Sequence, residues 1–99
     1  MPETTRGKTQ ELLVLVFKRN DCSVCHAIEP KLRELLSKYA LLRVKWIDVE
    51  ETIEIAGQYL IFIVPAVLLL RAGKEEFRLV RNFSLWELEQ KINKVLQYF

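Results

Sequence analysis

Sulfur and imidazole ligands are scarce in this chain. It has only two cysteines, one histidine and one methionine in 99 residues. A structural zinc site takes about four ligands, so thiols and imidazole within one chain cannot close it; only a metal shared between two chains stays open. Nor does one sign of charge dominate. The net charge is +2, with acidic and basic residues scattered along the chain, which excludes the broad basic face of a nucleic-acid binder. Long hydrophobic runs are missing as well, and nothing approaches the ~20 apolar residues that span a bilayer. Residues 1–8 have no apolar stretch of the kind a signal peptide needs, and no repeat, low-complexity tract or linker interrupts the chain. With 51% hydrophobic residues, the composition implies one folded domain in a reducing, cytoplasmic setting with no membrane or nucleic-acid partner; a monomer is expected, though composition does not set the oligomeric state.

What is present is concentrated in one tetrapeptide. Cys22-Ser23-Val24-Cys25 holds both cysteines and closely follows the apolar run Leu-Leu-Val-Leu-Val-Phe at residues 12–17. A strand that delivers Cys-x-x-Cys to the start of a helix puts thiols beside free N–H groups and partial positive charge. Both favour the thiolate, the nucleophile of disulfide exchange. As a staple the pair is weak: a bridge closing so short a loop contributes about 2 kcal/mol, against ~4.7 for a hundred-residue loop. With His26, the sequence also fits a c-type haem attachment pattern. That reading needs export, a haem cavity and usually a second axial ligand, and the chain has no second histidine and no methionine beyond Met1.

Patterning supplies the rest of the frame. Residues 1–10 read as a polar arm, or one short strand, ahead of a domain at 11–99. Residues 12–17 are apolar on both faces, as in a central strand. Residues 22–39 read as a helix with Ile28, Leu32, Leu35, Leu36 and Tyr39 on one stripe and Pro30 as a kink. Leu42–Asp48 alternates like an edge strand. A short helix at 51–60, a second central strand at 66–70, a turn at Ala72-Gly73-Lys74 and a strand at 77–80 follow. Ser84 and Glu87 match a capping box for a last helix. The order is β-α-β-α-β-β-α, an α/β fold. The first three strands, joined by helices, are expected to run parallel and the fourth antiparallel.

On these landmarks the chain resembles the thioredoxin superfamily, over about nine-tenths of its length. Cys22 and Cys25 follow a central strand, and Pro30 lies where thioredoxins kink the active-site helix. Asp48 ends the next strand. Val64-Pro65 occupies the place of the family's cis-proline, Gly73 that of its hairpin turn, and Ser84 opens the final helix. The departures are equally specific. The full N-terminal strand and helix are not matched, which implies a central four-stranded mixed sheet with Leu42–Asp48 at one edge. The tryptophan before the first cysteine is Asp21, the Gly-Pro pair is Ser23-Val24, the buried acid is Val16 and its lysine partner Val44. A glycine near the substrate surface is Arg81.

The resemblance implies a thiol–disulfide oxidoreductase that reduces protein disulfides, with Cys22 and Cys25 as the catalytic pair and Val64 and Pro65 at the substrate. Cys22 is expected to attack and Cys25, one helical turn on, to resolve the mixed disulfide. His26, Lys18 and Arg19 are candidates for lowering a cysteine pKa. No bound cofactor is expected beyond the Cys22–Cys25 disulfide. Turnover then needs an external donor, an NADPH-dependent flavoprotein reductase or glutathione. A thioredoxin-like adaptor with idle cysteines, or a glutaredoxin-like reductase, are the alternatives. Most of Ile61-Phe62-Ile63 is expected to be buried. Trp46 is expected to pack under a helix and Trp86 to stand in the first turn of the last one.

Overall fold

The two strands with unbroken apolar runs form the middle of the sheet. The computed structural model describes residues 11–98; the expected arm at residues 1–10 lies outside that range, as does Phe99. Four strands, β1 (Leu12–Lys18), β2 (Leu42–Asp48), β3 (Ala66–Arg71) and β4 (Lys74–Val80), make one sheet of order β2-β1-β3-β4. β1 and β3 are covered on both faces, so neither alternates. β2 lies at an edge, as its alternation of apolar and basic residues implies.

The direction of β3 departs from expectation, and β4, antiparallel to it, therefore runs with β1 and β2. β1 and β2 are parallel, with Leu12 opposite Leu42 and Lys18 opposite Asp48. β3 is antiparallel to β1, with Phe17 opposite Ala66 and Leu12 opposite Arg71. The reason is length. A parallel return must recross roughly 23 Å for a seven-residue strand. The helix before β2, α1 (Ser23–Ser37), has 15 residues and covers about 22 Å. The helix before β3, α2 (Ile53–Gln58), has six and covers only about 9 Å. The chain therefore re-enters the sheet at the end it has just left. The sheet is mixed, with β4 antiparallel to β3.

The two faces of β1 serve two clusters. Leu12, Val14 and Val16 join Leu32 and Leu36 of α1 and Leu88 and Ile92 of α3 (Leu85–Gln97). Leu15 and Phe17 join Ile47, Ala66 and Leu68 on the opposite face, over which Ile55 of α2 and Tyr59, its C-cap, pack. The described residues include no buried polar or charged side chain. α1 runs through Pro30, whose missing N–H releases the carbonyl four residues earlier. Of the capping box, the Ser84 half is formed, its hydroxyl accepting the Glu87 N–H at 3.0 Å. β4 begins at Lys74 rather than Phe77, because the register slips between Leu69 and Leu70, a bulge that lets three charged residues enter an edge strand. The β3–β4 turn places both Ala72 (φ 53°) and Gly73 (φ 82°) in the left-handed region, as a two-residue type I′ hairpin requires.

Candidate active site

β1 ends at Lys18, and the chain turns through residues 19–21 with the Cys22 N–H donating to the Arg19 carbonyl at 3.3 Å. Cys22 is the N-cap of α1, with extended backbone (φ −102°, ψ 105°). In that conformation its side chain folds back over the first turn, and Sγ accepts the Cys25 N–H at 3.1 Å. A serine or aspartate usually fills this position; here a sulfur satisfies one of the free N–H groups. The two cysteines are joined by a disulfide across a Cα separation of 5.2 Å. Their exposure is unequal: Cys22 is half-buried, whereas Cys25 is 3% exposed. On reduction, a Cys22 thiolate finds an N–H donor and the positive end of a helix already in place.

A groove of about 670 Å³ runs past Cys22, walled by Val49, Ile53, Ile61, Phe62, Val64 and Arg81 among others. Its lip corrects the expectation for residues 61–63. Only Ile61 packs into the second cluster; Phe62 is 85% exposed and Ile63 48%. The cause is the end of α2. Leu60 takes φ 57°, its N–H donates to the Gly57 carbonyl, and the Ile61 N–H donates to the Ala56 carbonyl. These are the two bonds of a Schellman cap, and they turn the chain outward. Arg78 of β4 holds the cap from outside, donating to the carbonyls of Tyr59 (2.9 Å) and Leu60 (3.4 Å). Glu75 accepts from the same guanidinium at 2.7 Å, which pulls the Glu75 carboxyl below its ordinary range. The Val64-Pro65 bond is cis. Val64 lines the groove, while Pro65 lies fully buried beneath.

The candidate tuning residues are close by but occupied. Lys18 pairs with Glu29 at 3.7 Å, and Arg19 with Asp21 at 3.2 Å and Glu50 at 3.1 Å. The Glu29 carboxyl is held below its ordinary value chiefly by its hydrogen bond from Arg33, with Lys18 adding to the effect. The exposed His26 ring places Nε2 2.6 Å from the Asn20 carbonyl, so that nitrogen carries the proton. Among the described residues no hydrogen bond joins this ring to either sulfur. Val16, at the place of the family's buried acid, is 1% exposed within the apolar core. Neither tryptophan lines the groove: Trp46 packs beneath α1 with the Arg33 guanidinium 3.9 Å above its ring, and Trp86 is exposed on α3. Sequence reasoning missed the groove walls Val49 and Ile53 and the tether Arg78. The Arg81 substitution was the one visible signal of an altered groove.

The thioredoxin family model matches residues 4–94. The chain belongs to the thioredoxin family. It is 32% identical over 92 residues to the thioredoxin-like protein YdfQ of Bacillus subtilis, covering 93% of this chain and 82% of that protein. It is 34% identical over 91 residues to thioredoxin H8 of Arabidopsis thaliana, of which it spans 61% against 92% of its own length. Among solved structures, thioredoxin 1 of Thermosipho africanus superposes with a TM-score of 0.81 at 34% identity, over 87% of this chain and 96% of that one. A thioredoxin with a disulfide-bonded Cys-x-x-Cys pair is a thiol–disulfide oxidoreductase acting on protein disulfides, and it needs no cofactor beyond that disulfide. Among the described residues no helix is long and apolar enough to cross a membrane.

Proposed function

We propose that Cys22 is the attacking thiol and Cys25 the resolving one in the reduction of protein disulfides. A Cys22 thiolate attacks one sulfur of a substrate disulfide, forming a mixed disulfide and expelling the other substrate sulfur as a thiolate. Cys25, as its thiolate, then attacks Cys22 Sγ. This forms the Cys22–Cys25 disulfide and expels the second substrate thiolate. Two electrons pass to the substrate, and the pair is left oxidised. The observation that supports this order is the unequal exposure of two sulfurs one helical turn apart, the accessible one being the N-cap that accepts an N–H. An extended substrate pairs with the Val64 backbone in the groove, and buried Pro65 positions that segment. The α1 N-terminus is the main source of thiolate stabilisation. Lys18 and Arg19 add marginal positive charge, offset by their carboxylate partners, and the His26 ring is turned to the Asn20 carbonyl.

The donor that restores the dithiol is an NADPH-dependent flavoprotein reductase in the cytoplasm, with glutathione as the alternative. Reduction of the Cys22–Cys25 disulfide by each donor separately decides between them. Insulin reduction in the presence of dithiothreitol tests the roles. Cys22→Ser and Cys25→Ser should both abolish catalysis, and Cys25→Ser alone should accumulate a covalent substrate adduct on Cys22 by mass spectrometry. An adduct that forms on Cys25 in Cys22→Ser instead reverses the assignment. An unreactive wild-type protein supports the adaptor.

A further inference from the structure

Arg81 stands where a substrate must lie. Its backbone N–H donates to the Pro65 carbonyl at 2.7 Å, extending the β3–β4 pairing by one step beyond Ala66 and Val80. The residue takes φ 56°, and its side chain is exposed and lines the groove with Cys22 and Val64. Its guanidinium Nη1 rests on the Val64 carbonyl at 3.5 Å, a long and weak bond. On the reading above, in which an extended peptide pairs with the Val64 backbone, that carbonyl is an acceptor for the peptide. The other cation in the groove, Arg19, is paired with Asp21 and Glu50. Arg81 has no carboxylate partner among the described residues.

We propose that Arg81 is a specificity determinant that selects disulfides with an acidic side chain beside the half-cystine attacked by Cys22. The inference rests on the oxidoreductase reading above. A carboxylate entering the groove draws the guanidinium off the Val64 carbonyl, so one exchange supplies an ion pair and frees the acceptor for the peptide N–H. A neutral neighbour must displace Arg81 without a replacement partner, and a basic one meets repulsion as well. Selection therefore has an attractive and a repulsive part. The other walls of the groove include exposed apolar Phe62 and Ile53, which do not discriminate by charge and leave charge as the discriminating contact at Arg81.

The test uses pre-reduced protein and three disulfide peptides that differ only in Glu, Gln or Lys beside one half-cystine. Acid-quenched single-turnover exchange is followed by released thiol. The wild-type rate constants should fall in the order Glu, Gln, Lys, with each step about 2- to 5-fold, the range of an exposed ion pair. The order should flatten in about 0.5 M salt, where the Debye length drops to a few ångströms. Arg81→Gln and Arg81→Gly should also flatten it, the glycine variant guarding against backbone strain at positive φ, and Arg81→Glu should make the Lys peptide fastest. Equal wild-type rates for all three peptides, or an unchanged order in the variants, overturn the role of Arg81 while leaving the oxidoreductase intact. Reduction of none of the peptides removes both.

Discussion

Replacing Arg78 with methionine isolates the tether that holds the lip of the groove. Arg78 donates to the carbonyls of Tyr59 and Leu60 at the end of α2, and to Glu75 on its own strand. Methionine keeps most of the apolar stem and removes every donor. A hydrogen bond to a charged group contributes about 1.5–3 kcal/mol when shielded. The Arg78 side chain is 33% exposed, one of its two carbonyl contacts is long, and the carbonyls it leaves can take water, so the net loss should be about 1–2 kcal/mol. For a domain of this size that lowers Tm by about 4–16 °C. Thermal unfolding by circular dichroism gives the total, and amide hydrogen exchange shows where it falls. Protection should drop most at Leu60 and Ile61, whose N–H groups close the Schellman cap. Glu75→Gln removes the ion pair but keeps the carbonyl contacts, and should cost about 0.5 kcal/mol. A Met variant that melts within about 2 °C of wild type, or a Glu75→Gln loss as large as that of Arg78→Met, refutes the tether.

Two further outcomes test the scaffold. Gly73→Ala should cost roughly 1 kcal/mol, because an added Cβ meets nothing within 4 Å and only the left-handed backbone resists it; Ala72→Gly, at the neighbouring φ of 53°, should stabilise by a similar amount, and urea unfolding reads both. Glu29→Gln should destabilise by about 0.5 kcal/mol at neutral pH. Because the folded-state pKa is lowered from an ordinary 4.5, the Glu29 contribution is complete above that value and lost as pH falls below it through the folded pKa. Wild type and variant should therefore differ by a constant amount above pH 4.5 and converge as the pH falls below it; a gap that stays constant or widens on acidification shows that Glu29 acts through something other than its charge.

The strongest sequence signals were those in which local chemistry and burial agree. Runs without alternation at residues 12–17 and 66–70 became β1 and β3, because a strand covered on both faces has no solvent side to mark. Cys22 was legible as the helix start, since its spacing from Cys25 is one turn. The direction of β3 was not legible from the order of elements, which treats any helix between strands as a crossover. Only the span of α2, six residues against 15 for α1, reveals that the chain never recrosses the sheet. The lip was hidden for a related reason. Ile61, Phe62 and Ile63 have one composition but two fates, and what separates them is a left-handed Leu60, a residue type that carries no mark of that conformation. Arg78 was unreadable in the same way, as a charged residue on an edge strand with its partners 18 and 19 positions away in sequence.

Because β3 runs back from the end where β2 finishes, the sulfur chemistry and the β3–β4 hairpin sit at opposite poles of the sheet, on the order of 20 Å apart along a strand. The Ala72-Gly73 tip and the link from α1 to β2 are thus natural handles. An affinity tag, fluorophore or surface tether placed there leaves the reactive pole facing solution, and two such chains can be joined through these ends with both disulfides free to turn over.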